Sequence, residues 1–240
     1  MPLPAIEREI PGAYQLDALL RGWRLQRAWH RARLDLVARL LPPPREVLSL
    51  DLAAGASILS WRFREAQFVS VDMRLDACRC VRGHTPGAPA VVAQLQDLPF
   101  RSSTFAQIYF LETLEHLTPD EGRRVLEEAR RVSWPGARCL ITTPNYRSHW
   151  VLFELLLDAL RITPRLANGQ HVSRYDSGGL SRIAESAGWR VVTLGSFNFF
   201  APFIGVVSRS GGAWAIDVEV RRAGRAGALL YAVCEAGSRT

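Results

Sequence analysis

The stretch LSLDLAAGASILS, residues 48–60, decides how the rest of the chain is read. An apolar run carries Asp51 near its end, and from Ala53 to Ser57 no side chain exceeds a hydroxymethyl before apolar residues return. A short apolar run closed by a small-residue turn fits a buried strand, Val47–Leu52, followed by a short helix, Ile58–Arg64. Small residues at that turn let a ligand lie against bare backbone, with the first N–H groups of the helix turned towards it. A lone turn of this kind is weak, because many strand-to-helix turns are small for packing reasons alone.

The alternation continues outward. Phe68–Asp72, Val91–Leu95, Phe105–Leu111 and Ala137–Thr143 read as further strands, with a clear helix over Pro119–Val132. Strands alternating with helices predict an α/β, doubly wound, mostly parallel Rossmann-like sheet with helices on both faces. Upstream, Leu16, Leu19, Leu20, Trp23, Leu34, Val37, Leu40 and Leu41 recur at helical spacing until Pro42, Pro43 and Pro44 stop the pattern. Downstream the regularity fades. WVLFELLLDALRI (150–162) reads as an apolar helix, HVSRYDSGGLSRIAESAGW (171–189) as a loop capped by Asp176 or Ser177 and then a helix, and Arg190–Leu194 and GALLYAVCEA (227–236) as strands. One domain is expected: a helical extension over 1–44, a cofactor-binding core over 45–145, a substrate-side insertion over 146–207 and closing strands over 208–240.

Composition narrows the classes. The 240 residues are 48% hydrophobic and 22% charged, enough to bury a full core. The formal charge is +7, and every basic residue is arginine, scattered along the chain. That pattern suits a solvated surface better than a nucleic-acid footprint. Aromatic residues interleaved with a basic run, expected for single strands, are missing. Glu7, Arg8 and Glu9 break any apolar leader, and no run of about 18 uncharged apolar residues appears, so a cytoplasmic chain without a membrane span is expected. Peripheral contact with anionic lipid stays open. The cysteines at 78, 80, 139 and 234 lack CxxC spacing and read as small buried residues, with no metal expected.

Two more signals join the loop. Asp72 ends the next strand in FVSVDM (68–73), about 20 residues on, where an acid accepts hydrogen bonds from both ribose hydroxyls of a nucleotide. QDLPF (96–100) follows the third strand, where Asp97 can meet a purine amino group. A P-loop is excluded because no Gly-Lys-Ser/Thr follows.

The ordered set LDLAAGAS, SVDM, QDLPF…STFAQIYFLETLEHL, VLEEARRVSWPGARCLITTPN and AESAGWRVV resembles the class I S-adenosylmethionine-dependent methyltransferases, in the small-molecule branch that includes the quinone-biosynthesis enzymes. The resemblance runs from about Val47 to Val192 plus the final strand. It implies that Asp51, Ala53 and Gly55 hold the methionine end of S-adenosyl-L-methionine and that Asp72 and Met73 meet the ribose. It further implies that Asp97 and Leu98 flank the adenine and that Leu111 and Glu112 line the methyl-donor pocket. The chain departs from the family at Ala53 and Ser57, where glycine is usual, and at Ala106, where Asp is usual. Ala53 is a mild change at negative φ, whereas a required positive φ costs about 1 kcal/mol or more.

The acceptor side is less legible. Positioning supplies most of the catalysis in such a transfer, and a base is needed only where the acceptor must lose a proton. His116 in LEHL and His171 in HVSRY are the candidates. No Asn/Asp-Pro-Pro-aromatic tetrad or Pro-Cys pair marks a nucleobase acceptor. The expected pocket lies in the insertion, lined by Tyr146, Trp150, Phe153, His171, Tyr175, Phe199 and Phe200, with Arg147 or Arg174 facing an acidic head group. FNFFAPF (197–203) suits a loop over an apolar pocket. A small, apolar or lipid-like acceptor follows. The alternatives are a non-catalytic adaptor with a degenerate loop and, short of glycines, a nicotinamide-dependent dehydrogenase.

Overall fold

The computed structural model describes residues 11–148, 171–222, 224 and 226–237. Helices α1 (Tyr14–Arg21) and α2 (Arg24–Leu40) precede β1 (Leu48–Leu52), α3 (Ile58–Arg62), β2 (Gln67–Asp72), α4 (Leu75–His84) and β3 (Ala90–Val92). Then follow β4 (Phe105–Leu111), a 3-10 turn (Leu114–His116), α5 (Pro119–Val132), β5 (Ser133–Pro144), α6 (Ser177–Ser186), β6 (Trp189–Phe197), α7 (Ala201–Val207), α8 (Arg209–Arg221) and β7 (Leu229–Ala236).

The seven strands form one sheet in the order β3-β2-β1-β4-β5-β7-β6. Strands β1 to β5 run parallel, and β7 runs antiparallel to both β5 and β6. The carboxyl ends of β1 to β6 therefore share one edge. Side chains alternate across each strand, so Ile108 and Phe110 enter one core cluster while Tyr109 and Leu111 enter another. The first cluster is closed by Val125, Leu126 and Ala129 of α5 with Leu180 and Ile183 of α6. The second is closed by Leu16 and Leu19 of α1, Leu34, Leu36 and Val37 of α2, and Ala215 and Ile216 of α8. Both faces are covered, as the alternating pattern demands. The N-terminal helices are thus one wall of the core.

Helix α5 starts where its sequence says. Thr118 Oγ1 accepts from the N–H of Glu121 at 3.3 Å, and Glu121 Oε2 accepts from the N–H of Thr118 at 2.9 Å, with Pro119 opening the first turn. The C-terminal third departs from expectation. FNFFAPF is not a loop: α7 begins at Ala201, and 209–221 form helix α8 where closing strands were expected, leaving β7 as the single closing strand. The glycines that masked this are contact residues. A Cβ on Gly212 would stand 2.8 Å from Cα of Gly205, and one on Gly205 would stand 3.3 Å from Cβ of Ala28, so small residues let α2, α7 and α8 cross closely. Helix α4 was also missed, because its apolar face is only Ala77, Cys78 and Val81. The expected helix over 150–162 lies outside the described residues. Among the described residues, no helix is long and apolar enough to cross a membrane.

Candidate active site

Ala53, Gly55 and Ser57 all hold positive φ, at 56°, 51° and 44°. Two non-glycine residues therefore sit in the left-handed region, each at a cost of roughly 1–2 kcal/mol. Of the two cases left open by the sequence, the structure takes the costly one: the loop keeps a glycine-type backbone at Ala53 and Ser57. What holds it there is a web of side chains. The Ser57 hydroxyl donates to Asp51 Oδ2 at 2.6 Å and accepts from the N–H of Ser60 at 3.2 Å. The N–H of Gly55 donates to Asp72 Oδ2 at 2.8 Å, and the N–H of Arg74 donates to Asp72 Oδ1 at 2.9 Å. His84 Nε2 lies 2.5 Å from the carbonyl oxygen of Ala56. Helix α3 is only five residues long, so its dipole contributes little to anion binding.

Asp51 and Asp72 end neighbouring strands, and both are buried. Burial pushes the Asp51 carboxyl up to about 7; the Ser57 hydrogen bond opposes this, Asp72 adds to it and Arg33 opposes it. Burial likewise raises Asp72, against the N–H groups of Arg74 and Gly55. A cation or a pair of hydroxyls meeting these carboxylates removes the strain of burying charge.

Glu112 follows β4 with φ 50°, its N–H donating to the carbonyl oxygen of Thr142 at 2.9 Å. Its Oε1 stands 3.0 Å from Nε of Arg33, whose side chain is only 3% exposed. The pair is off the hydrogen-bond line, so among the described residues Glu112 Oε1 is a buried acceptor without a donor. Arg33 is in turn 2.6 Å from Nδ1 of buried His30. Burial raises the Glu112 carboxyl, with Arg33 and then His116 opposing. In sequence Arg33 reads as one more surface arginine of α2; its spacing from Leu34, Leu36 and Val37 is the only hint that it turns inward.

At the far end of the site, Leu98 is buried and Asp97 exposed. Their loop is clamped to α5. The Leu98 N–H donates to Glu128 Oε2 at 3.0 Å, and the Arg131 guanidinium donates to the carbonyl oxygens of Leu98 and Phe100 at 3.0 and 2.9 Å. Met73 lies half-buried beside Asp72, and Leu111 is buried at the end of β4.

On the acceptor side, the structure gathers His116, after β4, and His171, which packs ring to ring with it at 5.1 Å. Tyr146, after β5, places its hydroxyl on His171 Nδ1, and Arg174 lies 5.4 Å over the Tyr146 ring. Glu115, unread in the sequence, completes the group. It is buried, accepts from Thr143 Oγ1 at 3.0 Å, and its main-chain oxygen accepts from the N–H groups of Val172 and Ser173. Those backbone bonds bring residues 171–173, distant in sequence, onto the 3-10 turn. Burial lowers the His171 imidazole to about 4, with His116 and Arg174 contributing, which makes it a weak proton acceptor.

The other acceptor residues divide. Tyr175 is absorbed into the core with Leu114 and Ile183, which corrects its placement in the pocket wall. Phe200 packs against the α1–α2 cluster, whereas Phe199 is 52% exposed. Arg147 is exposed and paired with Asp176 at 3.2 Å. Trp150 and Phe153 lie outside the described residues.

Residues 50–141 match the family described as "Methyltransferase domain". No curated protein matches the chain significantly. Among solved structures, an S-adenosylmethionine-dependent methyltransferase from Thermotoga maritima is 14% identical with a TM-score of 0.67, covering 92% of this chain and 95% of its own. A chain of the Haloferax volcanii complex between the Trm112 methyltransferase activator and a methyltransferase is 18% identical with a TM-score of 0.64, covering 95% and 97%. The geranyl diphosphate C-methyltransferase of Streptomyces coelicolor, solved with Mg2+, geranyl-S-thiolodiphosphate and S-adenosyl-L-homocysteine, is 13% identical with a TM-score of 0.59, covering 93% and 80%. At these identities the likeness is one of fold. Residues 50–141, which carry the loop between β1 and α3 and span β1 to β4, thus match a methyltransferase domain, and the whole sheet shares the fold of these structures.

Proposed function

We propose that this chain is an S-adenosylmethionine-dependent methyltransferase that modifies a small molecule whose reacting atom sits against His116 and His171. The observation that carries the reading is the convergence of His116, His171 and Tyr146 after β4 and β5, on the same sheet edge as Glu112. The residues present fit the cofactor. Asp51 is a buried acceptor suited to an ammonium, and Asp72 offers a carboxylate to a diol. S-adenosyl-L-methionine supplies, when bound, an already activated methyl group. The chain's own work is then to align the acceptor and to exclude water, which is worth about 7–11 kcal/mol where geometry is well held. His116 and His171 form the polar end of the acceptor site and orient the reacting atom. Phe199 and Phe203, half exposed at the start of α7, supply an apolar rim for the body of an apolar or lipid-like acceptor.

Mass spectrometry of small molecules that co-purify with the protein, followed by turnover assays on them, tests the reading. His171→Ala is expected to lower turnover by about 100-fold with cofactor affinity unchanged, because the acceptor loses its alignment. Wild-type turnover in that variant would refute the placement of the acceptor. The adaptor alternative predicts no cofactor binding at all, which calorimetry on the wild-type protein decides.

A further inference from the structure

We infer that Glu115, His116 and His171 form a binding site for a divalent transition-metal cation. The site rests on the proposed position of the acceptor only for its role, not for its existence. One ligand atom from each residue lies within 4.8 Å of those of the other two. Two imidazoles and one carboxylate are a donor set suited to Zn2+, Mn2+, Fe2+ or Co2+, with coordination positions left for an exogenous ligand.

Three further observations support the assignment. His171 and Glu115 each have an outer partner that orients them, as ligands of metal sites commonly do. The Tyr146 hydroxyl engages Nδ1 of His171 and leaves Nε2 to face the ion, and Thr143 holds one oxygen of Glu115 and leaves the other. Second, Glu115 is only 2% exposed, and among the described residues it forms no ion pair with an arginine. A buried carboxylate of this kind is costly unless a cation meets it. Third, the ligands come from two segments, 115–116 and 171, that are bonded directly to each other by the N–H groups of Val172 and Ser173 on the carbonyl oxygen of Glu115, at 2.8 and 3.0 Å. The backbone fixes the spacing before any ion arrives, so little ordering entropy opposes binding.

The ligand class follows from the position. A cation on the edge beside Glu112 takes a hydroxyl, phenol or carboxyl oxygen of the acceptor into an open position and lowers its pKa, the proton passing to solvent. The acceptor is then an oxygen-bearing small molecule, and neither imidazole has to take its proton.

Chelator-treated full-length protein titrated with Co2+ tests the site, with visible absorption and calorimetry as readouts. One Co2+ per chain is expected, with d–d bands of nitrogen and oxygen ligation and no thiolate charge-transfer band from the four cysteines. His116→Ala, His171→Ala and Glu115→Gln are each expected to weaken binding at least 10-fold, and Tyr146→Phe to weaken it several-fold. Circular dichroism on the same samples identifies any variant that fails to fold, and the two histidine variants decide the matter if Glu115→Gln does. Absence of stoichiometric Co2+ binding by the wild type, or binding that survives in both histidine variants, overturns the proposal. S-adenosyl-L-homocysteine affinity measured in parallel separates the two readings: wild type that binds it but no Co2+ loses the metal site and keeps the methyltransferase assignment.

Discussion

Ala53, at φ 56°, holds a backbone conformation that a Cβ disfavours, one residue past the strand that carries Asp51. Relief of that strain outweighs the extra chain entropy of glycine, so Ala53→Gly is expected to raise stability by about 1 kcal/mol, read as a higher denaturation midpoint at unchanged m-value. Cofactor affinity should hold or improve; a stability loss would show that the loop relaxes in solution. Ser57→Gly is different, because it also deletes the hydroxyl shared by Asp51 and the N–H of Ser60, and no net gain is expected. Asp51 gives the pH dependence. Its folded pKa is raised to about 7 above an unfolded value near 4, so the folded state binds more protons between those values. The stability this contributes is complete below about pH 4 and is lost as pH rises through about 7. The groups facing it are Ser57, Asp72, Arg33 and Tyr109. Chemical denaturation at pH 5 and 7.5 should show a steeper fall for wild type than for Asp51→Asn; equal falls would remove Asp51 from the account.

At the scale of elements, the buried Arg33–Glu112 pair ties α2 to the end of β4. Truncating one partner of such a pair typically costs about 3–5 kcal/mol by leaving a charge uncompensated; Glu112 is partly exposed here, so the lower end applies. Arg33→Met should therefore destabilise by about 3 kcal/mol, and Arg33→Met with Glu112→Gln should recover much of it in a double-mutant cycle. A simple sum of the single effects would mean that the two do not act as a pair. Arg131 plays the matching part for the 96–100 loop, through its hydrogen bonds to Leu98 and Phe100. Arg131→Leu is expected to weaken cofactor binding about 10-fold, while the α5 cap at Thr118 and Glu121 keeps the helix formed.

For the molecule as a whole, α1 and α2 are a structural wall. They bury Ile58, Leu59 and Phe68 together with Tyr109, and they carry Arg33 to the site. Removing residues 1–44 should expose that face and leave a chain that aggregates or binds hydrophobic dyes strongly. A monomeric, cooperatively unfolding truncation would show that the core is complete without them.

The parallel sheet was legible in the sequence because each strand is an apolar run ended by a small or acidic residue, a signal carried within a few neighbouring positions. The positions of Asp51, Gly55 and Asp72 at the carboxyl ends of β1 and β2 were legible for the same reason, because strand ends are local. Helices α7 and α8 were not legible, since Gly205, Gly211 and Gly212 look like breakers until a second helix is seen packed on each of them. The positive φ of Ala53 and Ser57 was equally hidden, because composition favours the opposite conformation and only the web around Asp51, Asp72 and His84 holds it. Arg33 and Glu115 look like ordinary surface charges in one dimension. What the sequence by itself determined is therefore the sheet and the residues at its carboxyl edge, both written in short-range periodicity. Which charges turn inward, and which histidines meet, was decided only by the tertiary structure, where contacts between residues tens of positions apart set the burial that gives those groups their chemistry.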